Sequence, residues 1–250
     1  MYVLERLANR CFPDATGYGP IIHLAAPTDH AVLHDEEAMY DFHLNMTAKV
    51  AQLSNELMTD LVLASSGKVY GTPKINSLSL VAPTTILGKA KFMAEQIAST
   101  ICEQHVAVAR IFNVFGPGQR KGYLIPDILK QVAEGKTTIE LRNSAVLRDF
   151  IYVHVVAKAI SVIARNVSKM RTPSEIHNIA SGTPRTPASL VLDIGRILSK
   201  RLAILPYSSE PPKNELSAEI VIPSRYVNTY NVWSQYLKAT VIAYPGLEVS

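Results

Sequence analysis

LVLASSGKVYG at residues 61–71 and PTTILGKAKFMAE at residues 83–95 together decide how the chain is read. The first piece is an apolar strand, Leu61 to Ala64, that ends in the hydroxyls of Ser65 and Ser66 and a turn. The second is a helix: beyond Pro83 apolar residues recur at helical spacing, and no proline interrupts them before Cys102. A strand that brings hydroxyls to its C-terminal end, followed by a helix carrying Lys91, is where open α/β sheets place their chemistry.

On the N-terminal side, residues 2–10 have helical period, and Pro13, Asp14, Gly17, Gly19 and Pro20 mark a loop. IIHLAA, Ile21 to Ala26, is a short apolar run that reads as a buried parallel strand, and Glu36 to about Met58 reads as a long helix. On the C-terminal side, strands are expected at Val106–Phe112, Thr138–Leu141 and Ile176–Ala180, with a helix over Tyr123–Glu134. At 250 residues, 48% of them apolar, the chain holds enough material for one large core and is long enough for two lobes. Cys11 and Cys102 have neither metal nor disulfide spacing, so no metal is expected and a reducing, cytoplasmic setting is. No apolar run approaches the ~20 residues of a membrane span, and no secretory signal pattern opens the chain. The net charge of +4 is scattered, densest at Arg120–Lys121 and Lys200–Arg201, which reads as solvated charge and not as a nucleic-acid surface.

Four motifs carry a resemblance: HLAA at 23–26, SSGKVYG at 65–71, RIFNVFGPGQ at 110–119 and RDFIYV at 148–153. They resemble the extended short-chain dehydrogenase/reductases, the nucleotide-sugar epimerase/dehydratase family, over roughly residues 20–205. The resemblance implies an α/β fold: a partial doubly wound, Rossmann-like parallel sheet lacking its first strands and Gly-rich loop, with a smaller α/β substrate lobe. The core would take residues 1–117 and 146–182, the lobe 118–145 and 183–250. It puts Ser66 at the catalytic Ser/Thr position, Lys91 and Glu95 at the lysine and glutamate of the following helix, and Leu87 where the family has its catalytic tyrosine. A leucine cannot exchange a proton with a sugar hydroxyl. Gly67 and Lys68 stand where the dehydratases carry an acidic pair, so dehydration by that route is not expected; Lys68 is either a surface residue or a cation facing the ligand. Ala25, Ala26 and Thr28 take the places of the fourth strand's small residues, which in the family lie against the cofactor. Asn113 takes that of a contact to the nucleotide-sugar backbone, and Arg148 that of the arginine gripping its diphosphate, a task suited to forked donors. His154 replaces the first residue of an acidic pair and is either structural or a base, and Glu215 remains of the residues that close on the nucleotide base.

A dinucleotide site needs a strand, a Gly-rich turn, a helix N-terminus and an acid ~20 residues later. Gly17 and Gly19 have no apolar strand before them, and the position three beyond is Ile22. The chain opens where the family has already placed two βα units, and no cofactor is expected. The leading expectation is then cofactor-independent acid/base chemistry on a small molecule or nucleotide sugar. Ser66, Lys91, Lys68 and His154 would carry it, and Thr28, Asn113 and Arg148 would hold the substrate. Lys91 would lie in a vacated cofactor cleft, its pKa lowered if the cleft is dry. The alternatives are a nucleotide-sugar-binding or partner subunit without catalysis, and a working epimerase or ketoreductase. With strand order 3-2-1-4-5-6 and the first three strands absent, Ile21–Ala26 becomes a sheet edge. A homodimer or hetero-complex is expected to cover it, with residues 2–10 contributing, unless residues 2–20 fold back over it.

Overall fold

The computed structural model describes residues 19–26, 35–71, 81–142, 144–206 and 233–247. The segments expected at residues 2–10, and Thr28 and Glu215, lie outside them. The central sheet is parallel, in the order β1 (Ile21–His23), β2 (Leu61–Ser66), β3 (Val106–Ile111), β7 (Ser174–Ile179). Its inner strands are nearly continuous apolar runs, as helices on both faces require. On one face Leu61, Leu63, Val106 and Val108 pack against Val50 of α1 (Glu36–Glu56) and Ala98 of α2 (Ile86–Ile101). Ala90, Ala94 and Ala98 recur once per turn on α2 and are buried to 1% or less, so that helix can seat closely. On the other face Val62, Ala107 and Ala109 meet Val155, Val156 and Ala159 of α4 (Val153–Asn166).

The smaller lobe is built from two little sheets and three helices. β4 (Asn113–Phe115) pairs in parallel with β6 (Arg148–Tyr152), which pairs antiparallel with β8 (Pro184–Arg185). β5 (Thr138–Leu141) pairs in parallel with β9 (Ala203–Pro206). Around them lie α3 (Leu124–Ala133), α5 (Pro187–Ile197) and α6 (Trp233–Ile242). One continuous cluster runs from Val62 and Ala107 through Ile128, Ile139 and Leu190 to Leu237, so the two lobes share a core. α6 is pinned by its first turns. Trp233 donates Nε1–H to Asp193 at 3.0 Å and lies under the Arg185 guanidinium at 4.1 Å, and Tyr236 stacks on Tyr152 at 4.2 Å.

β1 stands at the sheet edge, as expected, but it ends at His23, three residues short of Ala26. Among the described residues only β2 flanks it, and the run pairs for three residues and then leaves the sheet, with Leu24 55% exposed. β2 in turn runs two residues beyond Ala64, because Ser65 and Ser66 continue the ladder opposite Arg110 and Ile111 of β3.

Candidate functional site

The site is a cleft of about 630 Å³ beyond the C-terminal ends of β2 and β3 and alongside β4. One wall is made by the turn Gly67–Tyr70 and the start of α2. Ser66 Oγ accepts the amide of Lys68 at 3.2 Å, and the Lys68 carbonyl accepts the amide of Gly71 at 3.2 Å. Gly71 turns the chain with φ +75°, where a Cβ would stand 1.9 Å from the Ala82 carbonyl oxygen. Gly88 lets the first turn of α2 press on this turn, since a Cβ there would meet the Lys68 carbonyl oxygen at 2.5 Å. Thr85 caps α2 by accepting the amide of Gly88 at 3.1 Å. Ser66, Lys68, Thr84 and Thr85 thereby share one side of the cleft.

The opposite wall comes from β4 and β6. Asn113 donates its side-chain amide to the carbonyl of Asp149 at 3.0 Å, locking the two strands together. The Asp149 carboxylate is fully buried and accepts the amides of Ser181 and Gly182 at 2.7 Å each. Burial pushes its pKa up, and those amides oppose the rise. Arg148, beside it, lies on the cleft wall with Gln119, Arg120 and Tyr123. Gln119 is steered by donation to the Val114 carbonyl at 2.9 Å. The registers Ser66↔Ile111 and Asn113↔Phe150 set the order across the cleft: Ser66 and Lys68 on one side, Asn113 between, Arg148 on the far side. The described lining holds Lys68, Arg120 and Arg148 but no Asp, Glu or His.

Ser66, Lys68, Asn113 and Arg148 therefore meet in one cleft, and Lys68 is half-buried there. Lys91 and His154 do not join them. Lys91 lies behind β2, 8% exposed, its ammonium donating to the Ala64 carbonyl at 2.9 Å. Burial lowers its pKa to about 8, with Glu95 opposing. The ammonium turns toward the sheet and away from the lining of this cleft. His154 is exposed on the first turn of α4, edge-on to Tyr152 at 5.2 Å, and does not line the cleft. Leu87 is half-buried on α2 and is likewise not in the lining.

Beneath the cleft runs a buried polar network that the motifs do not disclose. Glu95 accepts Arg110 Nε–H at 3.0 Å, Arg110 Nη2–H at 2.7 Å and the Ser65 hydroxyl. Arg110 lies 4.8 Å from the centre of the Tyr70 ring, and Tyr70 donates its hydroxyl to Asn178 at 2.8 Å. On the β1 side His23 and His43 are buried, with pKa values lowered to about 4 and about 3, first by desolvation and then by the Lys91 charge. Thr84, Thr85, Gln119, Arg120 and Tyr123 were also missed in the sequence. Gln119 and Arg120 could have been found from their place just after the GPG turn; the threonines carried no signal beyond a helix start.

Residues 4–180 match the family described as "NAD dependent epimerase/dehydratase family". Among curated proteins the chain is similar to GDP-6-deoxy-D-talose 4-dehydrogenase of Aggregatibacter actinomycetemcomitans, 29% identical over 142 residues, covering 55% of this chain and 47% of that one. The chain spans about half the length of the curated relatives it matches. Among solved structures it is similar to UDP-N-acetylglucosamine 4-epimerase from Methanobrevibacter ruminantium M1 in complex with UDP-N-acetylmuramic acid, with TM-score 0.75 and 20% identity over 89% of this chain and 75% of that one. It is also similar to dTDP-glucose 4,6-dehydratase from Bacillus anthracis in complex with NAD, with TM-score 0.72 and 23% identity over 97% and 76%. At these identities the likeness of structure shows the fold.

Proposed function

The chain belongs to the NAD-dependent epimerase/dehydratase family, and from that premise we propose that its cleft is a nucleotide-sugar site at which this chain performs no hydride transfer. The observation that carries the reading is the meeting of Arg148 and Asn113 with Ser66 and Lys68 across one cationic cleft. Arg148 and Arg120 suit a diphosphate, because guanidinium forks match phosphate oxygens. Ser66, Thr84 and Thr85 then face the sugar. Relatives in this family act on or bind nucleotide sugars, as the names above state.

A nicotinamide dinucleotide fits the described residues poorly. They supply one wall at most: Lys91, its ammonium turned to the Ala64 carbonyl, and the short edge strand β1, with Ile22 and Leu24 42% and 55% exposed. No Gly-rich turn leading into a helix N-terminus is among them, so the described residues supply no such backbone donors for a pyrophosphate. Leu87 on α2 offers no proton to a substrate. Cofactor-independent acid/base chemistry is the second reading. It is favoured by Lys91, whose pKa of about 8 suits a base, and weakened by that lysine's position behind β2. We also propose that a second chain, another copy or a different one, covers the edge at β1, whose Ile22 and Leu24 face solvent.

Titration calorimetry tests the site. Wild type is expected to bind UDP, GDP or dTDP and the corresponding sugars, and Arg148→Ala to weaken the preferred ligand at least tenfold, the usual worth of a charge-assisted contact. NAD, NADH and NADP at millimolar concentration are expected to give no dissociation constant below roughly 100 µM, about −5.5 kcal/mol. Binding of none of the nucleotides, or tight binding of a dinucleotide, contradicts the reading.

A further inference from the structure

Three consecutive residues of the cleft wall, Ser66, Gly67 and Lys68, are bracketed by two that do not line it, Ser65 and Tyr70. Both brackets are 5% exposed, and both enter the buried network beneath the cleft. That network has a seat built across the sheet. Ser65 of β2 stands opposite Arg110 of β3, and Arg110 opposite Asn178 of β7, so the three polar residues form one row and share one face. Glu95 of α2 closes one end of the row, accepting from Ser65 and from the Arg110 guanidinium. Tyr70 closes the other: its ring centre lies 4.8 Å from the guanidinium carbon of Arg110, and its hydroxyl donates to the side-chain carbonyl of Asn178 at 2.8 Å.

The bracketed segment is a single 3₁₀ turn, a form whose own hydrogen bonds are poorly aligned. The Lys68 amide on Ser66 and the Gly71 amide on the Lys68 carbonyl, both at 3.2 Å, shape the turn without joining it to a neighbouring strand. Its hydrogen-bonded tie to β7 runs through Tyr70. A phenylalanine at position 70 would fill the same space and keep the ring on Arg110; what the hydroxyl adds is a fixed direction. Resting on the nucleotide-sugar reading above, we infer that Tyr70 and Asn178 are positioning residues for the sugar end of the ligand. Neither lines the cleft. Their hydrogen bond sets where Ser66 and Lys68 stand relative to Asn113 and Arg148, and hence whether a sugar joined to a bound diphosphate meets the wall. The diphosphate end, on β4 and β6, is locked separately by Asn113 on the Asp149 carbonyl.

Calorimetry on the full chain tests this by comparing each nucleoside diphosphate with its sugar: UDP with UDP-glucose, GDP with GDP-mannose, dTDP with dTDP-glucose. In the preferred pair, Tyr70→Phe is expected to leave the diphosphate within about twofold of wild type and to weaken the sugar nucleotide about fivefold or more, the worth of one hydrogen bond. Asn178→Leu should do the same, and the double variant should bind no more weakly than either single one, because both remove the same bond. Asn178→Asp retains the acceptor and should restore the sugar nucleotide, a rescue that packing alone does not give. The two Asn178 variants decide the matter if Tyr70→Phe does not fold. The inference is overturned if diphosphate and sugar nucleotide weaken equally, if neither changes, if the double variant adds the two losses, or if Asn178→Asp loses as much as Asn178→Leu. The cleft reading then stands so long as Arg148→Ala weakens the diphosphate. If wild type binds no member of the three pairs, both fall together.

Discussion

Glu95 shows how much a single buried group can hold. Its carboxylate accepts two guanidinium hydrogen bonds from Arg110 and one from Ser65, with the ion pair 3% exposed on each side. It thus ties α2 to β2 and β3 directly under the cleft. Removing one partner of such a pair leaves the other charge buried and uncompensated, at a cost of about 3–5 kcal/mol. Glu95→Gln is therefore expected to lower the thermal midpoint by roughly 6 °C or more in a domain of this size. A shift below about 2 °C in differential scanning calorimetry would show that Arg110 finds another partner. Single residues were also where the sequence said least. Ser66, Asn113 and Arg148, which line the same cleft, sit at strand boundaries within their motifs, Ser66 closing β2 and Asn113 and Arg148 opening β4 and β6. Lys91 lies outside the lining of this cleft; spacing along α2 fixes a face of the helix but not which carbonyl its ammonium meets. Asp149 and Tyr70 sat inside quoted motifs, yet their partners, the backbone amides of Ser181 and Gly182 and the side-chain carbonyl of Asn178, are distant in the chain.

At the scale of elements, β1, α1 and α2 bring three basic groups into one buried layer: His23, His43 and Lys91. The two histidines titrate at about 4 and about 3 in the fold against 6.5 when free, so the unfolded chain takes up protons that the fold refuses. Stability is accordingly expected to fall as pH drops from about 6.5 and to level off only near pH 3 to 4. Lys91, at about 8 against 10.5, adds a rise in stability between those two pH values. Urea unfolding across pH checks both slopes. Desolvation is the larger cause of both histidine shifts and the Lys91 charge the second; Lys91→Met removes that second cause, so acid unfolding should move to a lower pH and the alkaline rise should vanish. Unchanged pH profiles would mean that the three groups do not interact. The elements themselves were mostly legible, since an apolar run of four to six residues before a periodic helix reads plainly in α/β sequences. The ends of β1 and β2 were not, because pairing with a neighbour, and not composition, decides where each leaves the sheet.

For the molecule as a whole, the described sheet has β1 on one edge and apolar side chains of Ile22 and Leu24 facing solvent there. An uncovered apolar parallel strand is a pairing surface. Light scattering at low micromolar concentration is expected to give at least twice the chain mass of 27.4 kDa, or a stable complex with another chain. A well-behaved monomer would contradict the covered edge. The family was legible in the whole pattern of four motifs, whereas the charge of the cleft was not, because Lys68, Arg120 and Arg148 are far apart in sequence and converge only through the registers of β2, β3, β4 and β6. The most direct test of the nucleotide-sugar reading is a crystal structure of the full chain soaked with the nucleotide sugar that titrates best. The expected result is a diphosphate against Arg148 and Asn113 with the sugar toward Ser66, Lys68 and Thr85. Density for the ligand anywhere else, or with its sugar at Arg148 and its phosphates at Ser66, would contradict it.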